Sequence, residues 1–230
     1  MSKKLISEVK ENLSNNIYDI DSIKYLPNFN YLKSGYANHT FPEFKGINIL
    51  KILPKPAKNS SSKTEEELRE ISNLTSNRSL EDIKLVYSVD DDPLNIFNPI
   101  IKKYNLVFPN KDFRQMYHET MSPLIDHLKA FYNRARPFQL ASKLNIKIDV
   151  LLTNTHQTAA YPSGHTVYAA LIGEILSDSY PDKRGIFEDL VQKSAKARVL
   201  QGVHYPSDNI ASTTLVKKLY PYLRKYYDKK

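Results

Sequence analysis

The amino-acid sequence predicts an all-α fold, a single domain built as a bundle of several helices. Apolar residues recur at spacings of three and four over most of the chain after residue 64, which is the period of an amphipathic helix. Few stretches alternate apolar and polar residues with the period of two expected of strands. The length of 230 residues is sufficient for one domain with a substantial core.

Two stretches are predicted to be non-helical. Residues 1–35 are rich in Asn, Ser, Lys and Tyr and show little periodicity, so we expect an N-terminal arm that is loosely ordered or wraps the surface. Residues 54–63 combine two prolines with a serine cluster, which predicts a loop. A helical domain is expected over residues 36–230, with the candidate functional residues in 129–208.

Helix-start signals and apolar stripes define the remaining elements. Thr64 and Glu67 form a capping-box pattern before the first helix, and Ser79 is the expected cap of the second. Pro123 is expected to kink the long fourth helix, and Ser207 to cap the last one. In chain order, the helices are predicted over residues 65–75, 80–86, 95–104, 112–132, 166–178, 186–200 and 208–222.

Composition excludes several classes of protein. There is no cysteine, which rules out disulfides, thiolate chemistry and cysteine-ligated metals. The first residues contain no apolar run of signal-peptide length, because Glu8, Lys10 and Glu11 interrupt it. The most apolar stretch, Val167 to Leu176, is about half the ~20 residues that a membrane helix needs. We therefore expect a soluble protein without a transmembrane span, cytoplasmic or otherwise unexported.

Nearly all of the net charge of +8 comes from residues 121–230. A basic half of this kind would raise the local concentration of anionic substrates such as phosphate esters, although the charge alone is more typical of a basic surface without a specific partner. Nucleic-acid binding is compatible with the charge, but no recognised nucleic-acid motif accompanies it. No metal site is predicted, because Asp90, Asp91 and Asp92 lack a histidine or a spaced fourth ligand and are interpreted as a solvated turn or helix cap.

A turn before the fifth helix is predicted to bind phosphate. Ser163, Gly164 and His165 lie there, where a glycine lets the backbone approach an anion and the helix N-terminus presents unpaired N–H groups and its positive dipole end. Ser163 adds a hydroxyl donor, and His165 is placed to protonate a departing alkoxide. Taken alone, the segment is more typical of a helix-capping turn that carries a surface histidine.

Two further clusters complete the predicted chemistry. A helix end and a glycine-containing turn separate Arg198 from His204, so both side chains are able to reach one pocket. Asp208 opens the next helix and is expected to accept the Nδ1 proton of His204, which leaves Nε2 free to attack phosphorus. Lys129 and Arg136, together with Arg198, are expected to hold the phosphate oxygens.

The pattern Lys129-x6-Arg136-Pro137, Pro162-Ser163-Gly164-His165 and Arg198-x5-His204-x3-Asp208 resembles the three-part signature of the type 2 phosphatidic acid phosphatase and vanadium haloperoxidase superfamily. Tyr161 and Phe138 make the chain most similar to the class A non-specific acid phosphatases. The motif region covers about residues 116–215. Arg134 lies off the pattern, and we expect it to face solvent or to make a secondary substrate contact.

The resemblance implies a role for each matching residue. It implies His204 as nucleophile, His165 as general acid and Asp208 as the residue that orients His204. The phosphate ligands that it implies are Lys129, Arg136, Ser163, Gly164 and Arg198. The sequence departs from the pattern at Ala197, where members usually have serine, and in its lack of an export signal, which class A enzymes have.

The predicted function is a metal-independent phosphatase, free of cofactors, that hydrolyses phosphomonoesters or small diphosphates through a phosphohistidine intermediate. One alternative is a vanadate-dependent haloperoxidase, in which vanadate is the cofactor and His204 its axial ligand. A second is a non-catalytic protein that binds anions or nucleic acid, and a third is a lipid phosphatase at a membrane surface. The expected partner is a small phosphorylated substrate, and the sequence leaves the oligomeric state open.

Overall fold

The computed structural model describes residues 19–153 and 155–224. These residues are mainly helical. They also contain an isolated antiparallel β-bridge between Lys24 and Arg134. The predicted all-α bundle is therefore confirmed. The α-helices of the described residues are α1 (Ser62–Ser76), α2 (Leu80–Asp91), α3 (Asn98–Lys103), α4 (Asn110–Met116), α5 (Ser122–Tyr132), α6 (Pro137–Ala141), α7 (Gly164–Ser179), α8 (Arg184–Leu200) and α9 (Pro206–Leu223).

Each predicted helix is present, with ends shifted by a few residues. The expected kink of the long fourth helix is a π-helical stretch over Tyr117–Met121, which joins α4 to α5 just before Pro123. The third predicted helix is a 3-10 turn over Pro93–Ile96 followed by α3. The short helix α6 was not predicted, because five residues are too few to show a helical period.

The helix caps agree only partly with the sequence patterns. Ser79 caps α2, and a reciprocal bond with Asp82 completes its capping box, as predicted for that position. The predicted capping box of Thr64 and Glu67 is not formed, so that prediction is wrong. Ser61 accepts the Thr64 N–H and caps α1 instead, while Glu67 is buried against another part of the chain. The last helix begins before Ser207, at Pro206.

Helix α7 is the centre of the core and packs mainly against α8 and α9. Gly173 permits its close approach to α8, because a Cβ at this position would lie only 2.8 Å from Val191 Cγ2. The fully buried side chains along this interface include Val167, Leu171, Ile172, Phe187 and Leu215. This packing holds the first turn of α7 beside the last turns of α8 and the start of α9.

The described part of the predicted arm, residues 19–35, is held against the loop that follows α5. The Asn133 side chain accepts a hydrogen bond from Leu26 N and donates one to Leu26 O, and Tyr25 N donates to Asn133 O. Asn59 donates to the backbone oxygens of Ile20 and Ile23. Residues 1–18, the rest of that arm, lie outside the described residues.

None of the helices within the described ranges is both long enough and apolar enough to cross a membrane.

Candidate active site

The structure brings the three sequence clusters together at one end of the bundle. Lys129 lies near the end of α5, Arg136 immediately precedes α6, and Arg198 lies in the last turns of α8. His165 is in the first turn of α7, and His204 is in the loop before α9. The pKa of each of Lys129, Arg136, His165 and His204 is changed by the charge of at least one other member of this set, so the five groups share one electrostatic environment.

Two of the cations are anchored by neighbouring backbone carbonyls. Lys129 Nζ donates a hydrogen bond of 2.5 Å to Ala159 O, and Arg136 Nε donates one of 2.8 Å to Thr158 O. Arg136 Nη1 also donates to Val203 O at 2.8 Å. Both cationic groups are buried, and the segment before Tyr161 thereby holds them side by side.

His204 is held at both ring nitrogens. Its Nδ1 lies 3.2 Å from Asp208 Oδ2, and its Nε2 lies 2.9 Å from Arg136 Nη1. Because an arginine is only a donor, Nε2 must accept, and the imidazole proton is therefore on Nδ1 and is donated to Asp208. Asp208 Oδ2 also accepts the backbone N–H of Tyr205. The Nε2 lone pair of a neutral imidazole consequently points toward Arg136.

Arg134 does not face solvent as expected, because the buried carboxylates behind His204 need a counter-charge. Its side chain is 2 % exposed, and Nη1 lies 2.5 Å from Asp208 Oδ1. Nη2 lies 3.5 Å from Glu67 Oε2, and the guanidinium stacks 3.7 Å from the Tyr205 ring centroid. Glu67 in turn accepts the N–H and the hydroxyl of Ser207. Arg134 and Glu67 were missed because neither lies in a recognised motif.

Burial and mutual repulsion lower the pKa values in the cluster. Burial, followed by the charge of Arg136, places the pKa of His204 well below its ordinary value. Burial and Arg198 lower the pKa of His165 to about 3. Burial also lowers the pKa of Lys129 well below its usual range and that of Arg136 to about 9. The site is therefore short of negative charge and keeps both imidazoles neutral at neutral pH.

The predicted phosphate cradle is the start of α7. Because the helix begins at Gly164, its first N–H groups have no acceptor within the helix. Ser163 N donates to Ser212 Oγ at 2.9 Å. Ser163 Oγ lies 3.0 Å from Thr166 Oγ1, which itself donates to Asn209 Oδ1. The Ser163 hydroxyl proton is thus directed at Thr166, and a phosphate contact by Ser163 stays a prediction that requires this hydroxyl to turn.

Asp90 is part of this site, and its interpretation as a solvated turn residue was wrong. Its Oδ1 accepts hydrogen bonds from Arg198 Nη1 at 2.6 Å, Gln201 Nε2 at 3.2 Å and the Thr155 hydroxyl. Its backbone oxygen lies 3.2 Å from His165 Nε2. A chain separation of 108 residues from Arg198 left no local signal for this contact. The cap interpretation holds for Asp92 alone, whose carboxylate accepts Leu94 N.

A cavity of about 100 Å³ lies on the far side of the Lys129 anchor and is mostly apolar. The described part of the predicted arm forms one wall, and α5 and residues 157–159 form the others. Its lining includes Tyr25, Phe29, Tyr36, Asp126 and Lys129. In the part of the chain that the structure covers, no cluster of three or more His, Asp or Glu side chains is arranged to hold a metal ion.

Sequence comparison supports the acid phosphatase resemblance over part of the chain. Over 80 residues the chain is 31% identical to two proteins called non-specific acid phosphatase, one from Salmonella typhimurium and one from Salmonella typhi. The match covers 35% of this chain and 32% of each relative. The matched segment thus spans about a third of the length of these relatives. No protein-family model matches the chain.

Structure comparison identifies the fold. The chain aligns with the crystal structure of the first bacterial vanadium-dependent iodoperoxidase with a TM-score of 0.54 and 16% identity, over 77% of this chain and 52% of that one. A transmembrane PAP2-type phosphatidylglycerolphosphate phosphatase from Bacillus subtilis gives a TM-score of 0.48 and 17% identity, over 74% of this chain and 89% of that one.

The fold is therefore that of the vanadium-dependent peroxidases, an all-α bundle. The sequence relatives, matched over 80 residues, are non-specific acid phosphatases. The sequence match to two non-specific acid phosphatases supports the resemblance that the three motifs predict, and the structural likeness to the iodoperoxidase shows a shared fold.

Proposed function

We propose that this protein is a metal-independent phosphatase that hydrolyses phosphomonoesters, and small diphosphates by the same route, through a phosphohistidine intermediate. One observation carries the proposal. The Nε2 lone pair of a neutral His204 points at Arg136, the charges of Arg136, Lys129 and Arg198 all act on the ring, and Asp208 accepts the Nδ1 hydrogen bond. A tetrahedral oxyanion is the ligand that such a cluster stabilises, and an imidazole is a competent nucleophile toward phosphorus.

The cations are placed to neutralise the phosphoryl oxygens. Lys129, Arg136 and Arg198 are all buried, and burial lowers the pKa of each of them. Among the described residues, Arg198 Nε is a buried donor without a hydrogen-bond partner, and a phosphate oxygen would supply its acceptor. Substrate binding also has to take Arg136 Nη1 away from His204 Nε2, which exchanges that contact for one with the phosphoryl group.

In the first step, His204 Nε2 attacks phosphorus, and the bond from phosphorus to the ester oxygen breaks. The alkoxide takes a proton from His165, which is protonated in the complex because the bound anion offsets the charge of Arg198. Asp208 stabilises the positive charge that develops on the His204 ring.

In the second step, a water molecule attacks phosphorus, and the bond from phosphorus to Nε2 breaks. His165, now neutral, takes the water proton and returns to the state in which it began. The products are inorganic phosphate and a neutral His204. The three cations serve both steps because each transition state places negative charge on the same equatorial oxygens.

The decisive experiment measures hydrolysis of a chromogenic phosphate ester by the wild type, His204→Ala and His165→Ala. We expect both variants to lose at least about a hundredfold in kcat, and the wild type to be unaffected by a chelator and inhibited by vanadate. His118→Ala is the matched control, because His118 is exposed on the π-helical stretch. The intermediate is tested directly by quenching the wild type during turnover of a radiolabelled ester and measuring whether the phosphate bound to the chain is lost in acid, as a phosphohistidine requires. Full activity in His204→Ala would exclude the mechanism.

The alternative of a haloperoxidase is tested on the same preparation. The observation that favours it is the fold, which the chain shares with a vanadium-dependent iodoperoxidase. The cations that would bind a phosphoryl group also suit vanadate, and His204 would be the residue that holds it. Peroxide-dependent iodide oxidation after vanadate addition, without phosphatase turnover, would support this alternative over the phosphatase. Salt-dependent nucleic-acid binding that His204→Ala leaves intact would favour a non-catalytic protein over both.

A further inference from the structure

We propose that Asp90 makes the anion site select the monoanionic form of a phosphoryl group over the dianion. This proposal rests on the anion site of the proposed function but not on turnover. It starts from an arrangement that the three motifs do not contain, a carboxylate placed on one of the three phosphate-binding cations.

The Asp90 carboxylate occupies one side of the Arg198 guanidinium and leaves another side available. Arg198 Nη1 donates to Asp90 Oδ1 at 2.6 Å, and Nη2 donates to Thr155 Oγ1 at 3.1 Å. The third nitrogen of the guanidinium, Nε, is buried and has no hydrogen-bond partner among the described residues. An oxyanion that binds Nε would therefore contact the same guanidinium as the Asp90 carboxylate and lie close to it.

The surroundings keep this carboxylate in place and ionised. The charged and titratable groups that face Asp90 are Arg198 on α8, His165 on α7 and His156 in the loop before α7. Gln201 and Thr155 add neutral donors. Burial raises the pKa of Asp90, but the bonds from Thr155 and Arg198 lower it by more, and the net shift is downward. Asp90 is therefore negatively charged over the pH range in which a phosphate monoester changes its charge.

A phosphate monoester loses its second proton near a pKa of about 6. The monoanion retains one P–OH group, which is able to donate a strong hydrogen bond to a neighbouring carboxylate. The dianion has no proton to donate and adds a like charge beside Asp90, where the low dielectric strengthens repulsion. The three cations attract both forms, so the carboxylate supplies the difference between them.

Calorimetric titration of the full chain with inorganic phosphate and with sulfate tests this proposal at constant ionic strength. Phosphate passes from monoanion to dianion between about pH 5 and about pH 8, whereas sulfate is a dianion throughout. The ratio of the two affinities cancels titration of the protein's own groups, including His165 and His156. For the wild type, we expect the phosphate-to-sulfate affinity ratio to fall by about tenfold or more over this interval.

Asp90→Asn keeps the size and an acceptor for Arg198 but removes the charge. In this variant we expect sulfate to bind about tenfold more tightly and the affinity ratio to become nearly independent of pH. Asp91→Asn is the matched control, because Asp91 is exposed and bonds to Asn95 instead of the site. This control is expected to keep the wild-type ratio at both pH values.

Three results would overturn the proposal: a wild-type ratio that does not change with pH, an Asp90→Asn ratio equal to that of the wild type, or an equal gain or loss for both anions at both pH values. The wild-type ratio decides the matter even if the variant does not fold. A protein that shows the monoanion preference but hydrolyses no ester would contradict the proposed function alone. A protein that hydrolyses esters without that preference would contradict only the role of Asp90.

Discussion

Replacing Arg134 by alanine is the sharpest test of how the site is supported. The substitution leaves the carboxylates of Asp208 and Glu67 in the interior without their cation. Both side chains are at most 1 % exposed, so water does not replace it. Removing one partner of a buried ion pair costs about 3–5 kcal/mol, because the remaining charge stays desolvated. For a chain of this size, that loss lowers the Tm by about 6–20 °C.

The assay is equilibrium urea unfolding followed by far-UV circular dichroism, which suits a helical chain without tryptophan. Arg69→Ala is the matched control, since Arg69 makes an exposed ion pair with Glu65 within α1, and exposed pairs contribute little. We expect the control to unfold at nearly the wild-type urea concentration. If Arg134→Ala unfolds where Arg69→Ala does, the assignment of Arg134 as the counter-ion of the buried carboxylates is wrong.

The pH dependence of the same variant gives an independent check. Burial raises the pKa of Asp208, and Arg134 opposes that rise. Without Arg134 the folded-state pKa moves further above the unfolded value, and an acid shifted upward penalises folding at pH values above that folded pKa. The stability difference between Arg134→Ala and the wild type is therefore expected to be largest near neutral pH and to shrink as the pH falls and the carboxyl takes up its proton.

Three further outcomes are expected. Gly202→Ala should destabilise the fold by about 1–3 kcal/mol in thermal unfolding. The reason is that Gly202 has a φ of +83° and that a Cβ there would lie 2.9 Å from a neighbouring methyl group. The control Gly185→Ala, where a Cβ would meet nothing within 4 Å, should not destabilise the fold. Inorganic phosphate should raise the pKa of His165 from its value of about 3 in an NMR titration, and no rise would place the anion elsewhere. Ser212→Ala should cost about 1–3 kcal/mol in urea unfolding, because it strands a buried N–H of the cradle, whereas Thr214→Ala, which removes a bond within α9, should change little.

The all-α class and the positions of the helices were predictable because they depend on neighbours three and four residues apart. Ser79 shows the local case, since the cap and its partner Asp82 lie in the same turn. Glu67 shows the opposite case. Its spacing from Thr64 fits a capping box, yet the carboxylate bonds to Ser207, 140 residues away, because burial beside Arg134 offers a stronger partner than a helix terminus.

The candidate site divides in the same way. The sequence alone determined which residues carry the predicted chemistry, because Lys129, His165 and His204 lie in motifs whose spacing is local, and the roles assigned to them stay predictions until activity is measured. Only the tertiary structure decided that Asp90 contacts Arg198 and that Arg134 lies behind Asp208. Those contacts arise where helices distant in sequence pack together, and the charges there pair with whatever opposite charge the packing buries beside them.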